Sequence, residues 1–467
     1  MNERPIRALL IAEAASPELV SVPLEGWSHS RAISALTPAH TITQIRNLGA
    51  WQRAGVDPCE YTALDSERVA KWAWRIGKVL SLGTNKGWTA KTAMRGVAYA
   101  YEERLIWKMF GARIRAKEWD VVHRLIPLSP TIASSLAAKC DRAGVPFVVG
   151  PLNGGVPWPK GFDSARRRER EWLSYVRGAY KLAPNYRSMR EHAAALIMGS
   201  RDTFGQMPEM YRERCVYVPE NAVDPKRFGL THEPTSGSES GGPLRIAFVG
   251  RLVPYKGCDM LIEAALPLMR SGRVHIEVIG DGPEMPKLRA IVEREKVESA
   301  ITFAGWIDHK ELHGRLGKAQ VFGFPSVREF GGAVVLEAMA LGVVPIVLDY
   351  GGPGELVSPT TGFAVPIGSR EEIVARFRAV IGGLAEDPSV LGPMRAAARR
   401  RVLEYFTWEM KARQVYEVYR WVLGWREKPD FGMPLGHEGE SADLGMVVRA
   451  ARVLGSNGAG GRLEELF

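Results

Sequence analysis

The sequence predicts an α/β protein of two doubly wound domains, each a parallel sheet with helices on both faces. Three observations carry that expectation. Short β-branched apolar runs alternate with longer helical patterns along most of the 467 residues. The runs are apolar throughout, as in strands buried on both faces. The alternation is interrupted once, by a Ser-, Gly- and Pro-rich stretch, and then restarts.

In the first half, strands are expected near Arg7–Ala12, Thr41–Ile45, Val121–Leu125, Phe147–Gly150 and Ala195–Met198. Helical patterns lie near Ser28–Ala35, Ser66–Leu80, Ala98–Ala116, Ser129–Ala143 and Ser164–Leu182. The break, 231–243, has no hydrophobic period and reads as a linker between a first domain of 1–230 and a second of 244–405. Beyond it come strands at Arg245–Val249, His275–Ile279, Thr302–Ala304, Val321–Phe324 and Val344–Leu348. Helices are expected at Asp259–Leu268, Glu284–Arg294 and Ala333–Ala340. An aromatic helix with Trp408, Tyr416, Tyr419 and Trp421 occupies 406–427, and the Gly-containing tail 428–467 is expected to pack loosely. Two such domains place a cleft between the carboxyl edges of their strands, where α/β sheets bind ligands.

Composition narrows the class. Apolar residues are 46% and charged residues 24%, which is ordinary for a folded chain and excludes disorder as the main state. The four cysteines form no C-x-x-C pair, which argues against a zinc module and fits a reducing compartment. The chain enters the apolar run Ile6–Ala12 directly, so no secretory leader is expected. No stretch approaches the ~20 apolar residues of a membrane span, so the expectation is cytoplasmic. The net charge is +10, and 17 Lys and Arg against 8 Asp and Glu fall within 101–190. That patch suits an anionic surface or substrate; a solvated helix face is the alternative. Lys71-Trp72-Ala-Trp74-Arg75 likewise reads either as an interfacial helix at the inner face of a membrane or as a packed helix with snorkelling lysines. No nucleic-acid recognition motif accompanies the basic patch.

Two segments of the second domain carry chemistry. Gly250-Arg251-x4-Lys256-Gly257 follows a strand and opens into a helix. Arg251 offers a planar fork of donors and Lys256 a mobile point charge, both suited to a diphosphate. Phe324-Pro-Ser326-x2-Glu329-Phe330-Gly331-Gly332-Ala333 leads to Glu337. The N–H groups of Gly332 and Ala333 at a helix start suit phosphate or sugar oxygens. Glu329 and Glu337, eight positions apart, either share one face of a continuous helix or stand one in the loop and one deeper in the helix. Either arrangement gives two carboxylates that accept from hydroxyl groups. In the first domain His123 ends a strand, Gly150-Pro-Leu-Asn153 ends another, and Gly26 lies in the first βα connection.

These motifs resemble family-4 retaining glycosyltransferases. Gly250-Arg-Leu-x3-Lys256-Gly257, Phe303-x-Gly305, Phe324-Pro-Ser326, Glu329-Phe-Gly-Gly, Glu337-Ala-Met-Ala-x-Gly342 and Gly351-Gly-x2-Glu355 occur in that family's order, over about 215–365. The resemblance implies the GT-B fold, two Rossmann-like domains facing a cleft, with a last helix returning to the N-terminal domain. It implies retaining, metal-independent transfer of a sugar from a nucleotide sugar to a hydroxyl of a glycan or lipid-linked glycan, in cell-surface polysaccharide or glycolipid synthesis. No cofactor is implied beyond the UDP- or GDP-sugar co-substrate. Carried over, Arg251 and Lys256 hold the diphosphate, Glu329 meets the donor sugar, Glu337 the ribose, and Trp306 and Ile307 lie at the base. Phe330, Gly331, Gly332 and Ala333 line the same donor site. His123 binds a donor-sugar hydroxyl and Gly26 approaches the phosphates; the segment with Asn153 reads, from its residues alone, either as a contact to substrate, assigned to the acceptor, or as a plain turn. An epimerase or phosphorylase on the same scaffold, or a catalytically silent membrane-associated module, are the competing readings.

Overall fold

A computed structural model describes residues 4–67, 88–168, 181, 184–227 and 242–436. The segment Lys71–Leu80 and most of the 231–243 linker lie outside the described residues, as does the tail beyond 436. Within them the chain forms two compact units.

The first unit holds seven parallel strands: β1 (Ala8–Ala12), β2 (Ala39–Gln44), β3 (Tyr61–Leu64), β4 (Val121–Ile126), β5 (Phe147–Leu152), β6 (Ala195–Met198) and β7 (Cys215–Tyr217). Their order is β3-β2-β1-β4-β5-β6-β7. The second holds β8 (Leu244–Val249), β9 (Val274–Ile279), β10 (Ile301–Gly305), β11 (Val321–Phe324), β12 (Val344–Asp349) and β13 (Phe363–Pro366), in the order β10-β9-β8-β11-β12-β13. Both orders reverse direction at one point, β1/β4 and β8/β11. Such a switch point leaves a crevice beyond the strand carboxyl ends, because the flanking connections run to opposite faces. The strands β1, β4, β5 and β11 are buried at every position, as continuous apolar runs require. β3, β7 and β13, only three or four residues each, lie at or near sheet edges and are not anticipated by hydrophobic pattern.

Two stretches belong to units other than the order of the chain suggests. The helix Trp408–Val422 packs in the first unit, burying Ala412, Val415, Val418 and Tyr419 within its core. The segment 156–168 belongs to the second unit instead. There Tyr350 Oη donates to the Pro157 carbonyl at 2.8 Å, and the Trp158 ring meets Tyr255 edge-on at 6.1 Å. Of the basic run beginning at Arg166, Arg167 is exposed and Arg166 approaches Asp163 at 3.8 Å. In the tail, Leu435 is buried and its carbonyl accepts from Arg401 at 2.7 Å, so the described part packs against the Leu391–Tyr405 helix.

The loops after β8 and β11 are locked together at the backbone. The Tyr255 carbonyl accepts from the Val327 N–H at 2.9 Å and from Ser326 Oγ at 3.3 Å. Gly257, at φ 72°, caps the Cys258–Arg270 helix directly against Pro325. A Cβ there would stand 2.4 Å from the Pro325 carbonyl oxygen. Gly257→Ala combines a left-handed backbone with a clash against a rigid carbonyl, so it is expected to cost at least about 2 kcal/mol. Chemical denaturation followed by tryptophan fluorescence checks this; an unchanged midpoint would show that the two loops are not in fixed contact.

Candidate functional site

The residues predicted from the second domain converge on the β8/β11 switch point. β8 ends at Val249, and the following loop carries exposed Arg251 and half-buried Lys256. β11 ends at Phe324, and its loop carries half-buried Glu329, Phe330 and Gly331. The Lys256 ammonium donates to Glu329 Oε2 in a close ion pair, with 17% and 21% of the two side chains exposed. The same ammonium lies 5.0 Å from the Phe324 ring centroid. A mostly buried, charge-assisted bond of this kind contributes about 1.5–3 kcal/mol. Its strength is limited by the desolvation of both charges, so a second anion can compete for the lysine.

Gly332, at φ 71°, caps the helix Ala333–Ala340, so Glu329 stands in the loop and Glu337 in the helix. The structure thereby selects one of the two arrangements that spacing alone left open. In the first turn the Val335 N–H donates to the Gly332 carbonyl at 2.8 Å, while helix geometry gives the Ala333 and Val334 N–H groups no intrahelical acceptor. That loop is in turn fixed from β12. Gly351, at φ 67°, lies so close that a Cβ would be 2.3 Å from the Glu329 carbonyl oxygen. Trp306 and Ile307 follow β10; the indole is 78% exposed and Ile307 is half-buried. The Gly280 N–H donates to the Gly305 carbonyl and the Gly250 N–H to that of Ile279, tying the loops after β8, β9 and β10 side by side.

Trp158 is a neighbour that sequence reasoning missed. Its ring lies 5.0 Å from the Arg328 guanidinium and edge-on to Tyr255, each one residue from the Lys256–Glu329 pair. The signal available was Pro157-Trp158-Pro159, an aromatic held between two prolines after a glycine pair.

Three residues expected to meet substrate lie in the first unit, His123 and Gly26 for the donor and Asn153 for the acceptor. His123 is fully buried. Its Nε2 bonds the Gly150 carbonyl at 2.8 Å, which must accept, so Nε2 carries the hydrogen. Nδ1 therefore accepts from the Tyr419 hydroxyl at 2.7 Å. Burial, with Arg124 nearby, pushes its pKa down to about 3, so the ring is neutral and both nitrogens are engaged. Its geometry is that of a strut between β4, β5 and the Trp408–Val422 helix. Gly26 is not in a loop: it is inside the helix Val22–Leu36, where a Cβ would stand 2.2 Å from the Ala14 carbonyl oxygen. That close helix packing accounts for the glycine without a ligand. Asn153 follows β5; its Oδ1 accepts from the Gly154 N–H, Ser200 Oγ and Thr203 Oγ1, while its buried Nδ2 has no partner.

The first unit also buries a charged cluster that the sequence reading did not single out. Glu13, Gln44, Glu102, Glu103 and Arg124 are each at most 4% exposed. Glu103 is satisfied by Ser134 and by the N–H and hydroxyl of Ser135. Glu102 accepts from Gln44 Nε2 at 2.7 Å. Burial, reinforced by the Glu13 carboxylate, pushes Glu102 up to about 8. A carboxyl raised in the folded state favours folding below its ordinary value near 4.5, and that contribution fades as pH rises through about 8. Glu102→Gln removes the titration. Its melting temperature is therefore expected to fall less than that of the parent between pH 5 and pH 8, measured by scanning fluorimetry; parallel curves would refute a neutral Glu102.

A doubly wound pair of sheets, each with its own switch point, is the arrangement of the GT-B fold. Residues 233–387 match the family described as Glycosyl transferases group 1. It is 32% identical over 225 residues to glycogen synthase of Mycobacterium tuberculosis, covering 47% of this chain and 52% of that protein. The chain thus spans about half the length of the glycogen synthases it matches. A putative colanic acid biosynthesis glycosyltransferase of Salmonella typhimurium is 27% identical over 311 residues, 60% of this chain and 72% of the relative. Among solved structures, a glycosyltransferase from Rickettsia africae has a TM-score of 0.58 at 15% identity, covering 90% of this chain and 99% of its own. Anabaena HepE in complex with UDP has a TM-score of 0.55 at 15% identity, covering 88% and 98%. These two likenesses establish the fold, as expected from sequence. Among the described residues, no helix is long and apolar enough to cross a membrane.

Proposed function

We propose that the protein transfers a sugar from a nucleoside diphosphate-sugar to a hydroxyl acceptor with retention of configuration. The observation that carries this reading is the Lys256–Glu329 pair at the β8/β11 switch point, between exposed Arg251 and the start of the Ala333–Ala340 helix. Arg251, Lys256 and the helix N–H groups would receive the diphosphate and stabilise the charge that grows on it as the glycosidic bond breaks. Drawing Lys256 onto the diphosphate frees the Glu329 carboxylate to accept from donor-sugar hydroxyls. Substrate binding and sugar positioning thereby become one exchange of partners. Glu337, on the helix, is assigned to the ribose, and Trp306 with Ile307 to the base.

Retention follows if the acceptor hydroxyl attacks from the face that the diphosphate leaves, with a departing phosphate oxygen taking the proton. Neither carboxylate is then required as a nucleophile, unlike the paired acids of retaining hydrolases. UDP is the favoured nucleotide, because a neighbour of this fold is solved with it. Glycan or lipid-linked acceptors are favoured by the polysaccharide-forming relatives. No observation places the protein at a membrane.

Thermal shift against UDP, GDP, ADP, CDP and dTDP tests the donor site. One diphosphate is expected to raise the melting temperature, and Arg251→Ala or Lys256→Ala to weaken it at least tenfold, the loss of one charged hydrogen bond. Stability unmoved by all five would remove the donor reading. Glu329→Gln separates the roles: diphosphate affinity should hold or rise because Lys256 is released, while turnover of the sugar nucleotide falls 10–100-fold. A matching loss of diphosphate affinity would count against the exchange.

A further inference from the structure

One stretch from the first half of the chain meets three loops of the candidate donor site. Val156–Arg168 belongs to the second unit, although β5 before it and β6 after it belong to the first. The backbone leaves β5 through Gly154 and Gly155, at φ 129° and 75°, conformations that side chains rarely adopt. Val156 is fully buried, and its Cγ2 would stand 3.7 Å from a Cβ on Gly351, beside the Glu329 carbonyl. The Pro157 carbonyl accepts from Tyr350 Oη at 2.8 Å. The Trp158 ring lies edge-on to Tyr255 at 6.1 Å, with the Arg328 guanidinium 5.0 Å from its centroid. Phe162 is buried, and the short helix Asp163–Arg168 lies against the Pro254–Lys256 turn. The stretch thus reaches the loop after β8 at Tyr255, the loop after β11 at Arg328, and the loop after β12 at Tyr350 and Gly351.

Its sequence makes it stiff. Val156 and Trp158 each precede a proline, which restricts both to extended backbone, and each proline fixes its own φ. The indole is therefore presented with little backbone freedom left to lose on folding. The consequence falls on Glu329. Arg328, one residue before it, lies against the Trp158 ring and 5.5 Å from the centroid of Phe330, one residue after it. Aromatic faces attract a guanidinium, and its planar shape suits stacking on them. The Glu329 carbonyl is held against Gly351 as well. With its neighbours anchored, Glu329 keeps chiefly its side-chain torsions, and its carboxylate meets Lys256. A displacement of about 1 Å near a reacting centre can cost about a hundredfold in rate, so such anchoring has kinetic weight.

We infer that Val156–Arg168 is a strap that positions Glu329 for the donor sugar, with Trp158 as its positioning residue, acting through Arg328 and Tyr255. The role toward the sugar rests on the transferase reading; the hold on the three loops does not.

Hydrogen exchange followed by mass spectrometry on the full chain, without nucleotide, reads the strap directly. Trp158→Ala is expected to speed exchange about tenfold in peptides covering 250–257 and 325–333, and to leave the strands of the first unit unchanged. Trp158→Phe keeps an aromatic face, so exchange should return to within about threefold of the parent. Tyr350→Phe, which loses one hydroxyl, should speed exchange in 325–333 by a smaller factor. With UDP-glucose, Trp158→Ala should hold KM within about twofold and lower kcat about tenfold, because Arg251 and Lys256 still receive the diphosphate. Trp158→Phe should restore kcat. A residue that only fills space would instead speed exchange throughout the second unit, with no split between kcat and KM. That uniform pattern, or parent-like exchange in Trp158→Ala, overturns the strap. Should Trp158→Ala not fold, parent-like exchange in Tyr350→Phe overturns it. Failure of the donor reading registers separately, as a parent that neither shifts its melting temperature with UDP nor cleaves UDP-glucose.

Discussion

The contact of two backbones at the β8/β11 switch point governs the second unit. The Tyr255 carbonyl holds Val327, and Gly257 sits under the Pro325 carbonyl with no room for a side chain. Lys256 and Glu329 are the residues adjacent to, or two positions beyond, those contacts, so their pairing follows from the backbone more than from their own attraction. The β12 side adds a second restraint, because Gly351 packs against the Glu329 carbonyl. A flexible lysine and a loop glutamate thereby acquire fixed positions without large ordering costs at the moment of binding.

That arrangement was legible in the second half of the sequence and much less so in the first. Loops at strand ends that must approach one another closely require glycine, and those that meet a diphosphate require Arg and Lys; both residue types stand out in a single sequence. The pattern Gly250-Arg251-x4-Lys256-Gly257 combines them. The direct bond between Lys256 and Glu329 was not visible, because 73 residues separate them and no local rule relates the two. The edge strands β3, β7 and β13 escaped because three or four residues do not establish a hydrophobic period.

In the first half the same residue types carry different meanings. Gly26 and His123 occupy places where a ligand contact was expected, yet one admits the Ala14 carbonyl and the other bridges β4, β5 and Tyr419. Sequence context put His123 at a strand end and Gly26 in a loop, whereas His123 is the third of six residues in β4 and Gly26 lies inside the helix Val22–Leu36. The charge count was similarly ambiguous. It placed Glu102, Glu103 and Arg124 in a basic window read either as an anion-attracting patch or as a solvated helix face, whereas all three are at most 1% exposed. Long-range burial of this kind depends on how a helix rotates against a sheet, and a run such as Tyr99 to Glu103 fits either face.

The two switch points differ in how they handle charge, and the difference has a chemical consequence. At β8/β11 Lys256 and Glu329 keep about a fifth of their side chains exposed and are paired with each other, and Arg251 beside them is exposed. At β1/β4 they are sealed from water, and burial drives Glu102 toward its neutral form. A low-dielectric, near-neutral surrounding penalises an incoming phosphate but strengthens each hydrogen bond to a hydroxyl. One doubly wound architecture, repeated in the chain, thus carries two different electrostatic surroundings at its switch points. The difference resides in loop residues at β8/β11 and, at β1/β4, in Arg124 on β4 and Glu102 on the Trp88–Arg115 helix, since the strand order around each switch point is the same.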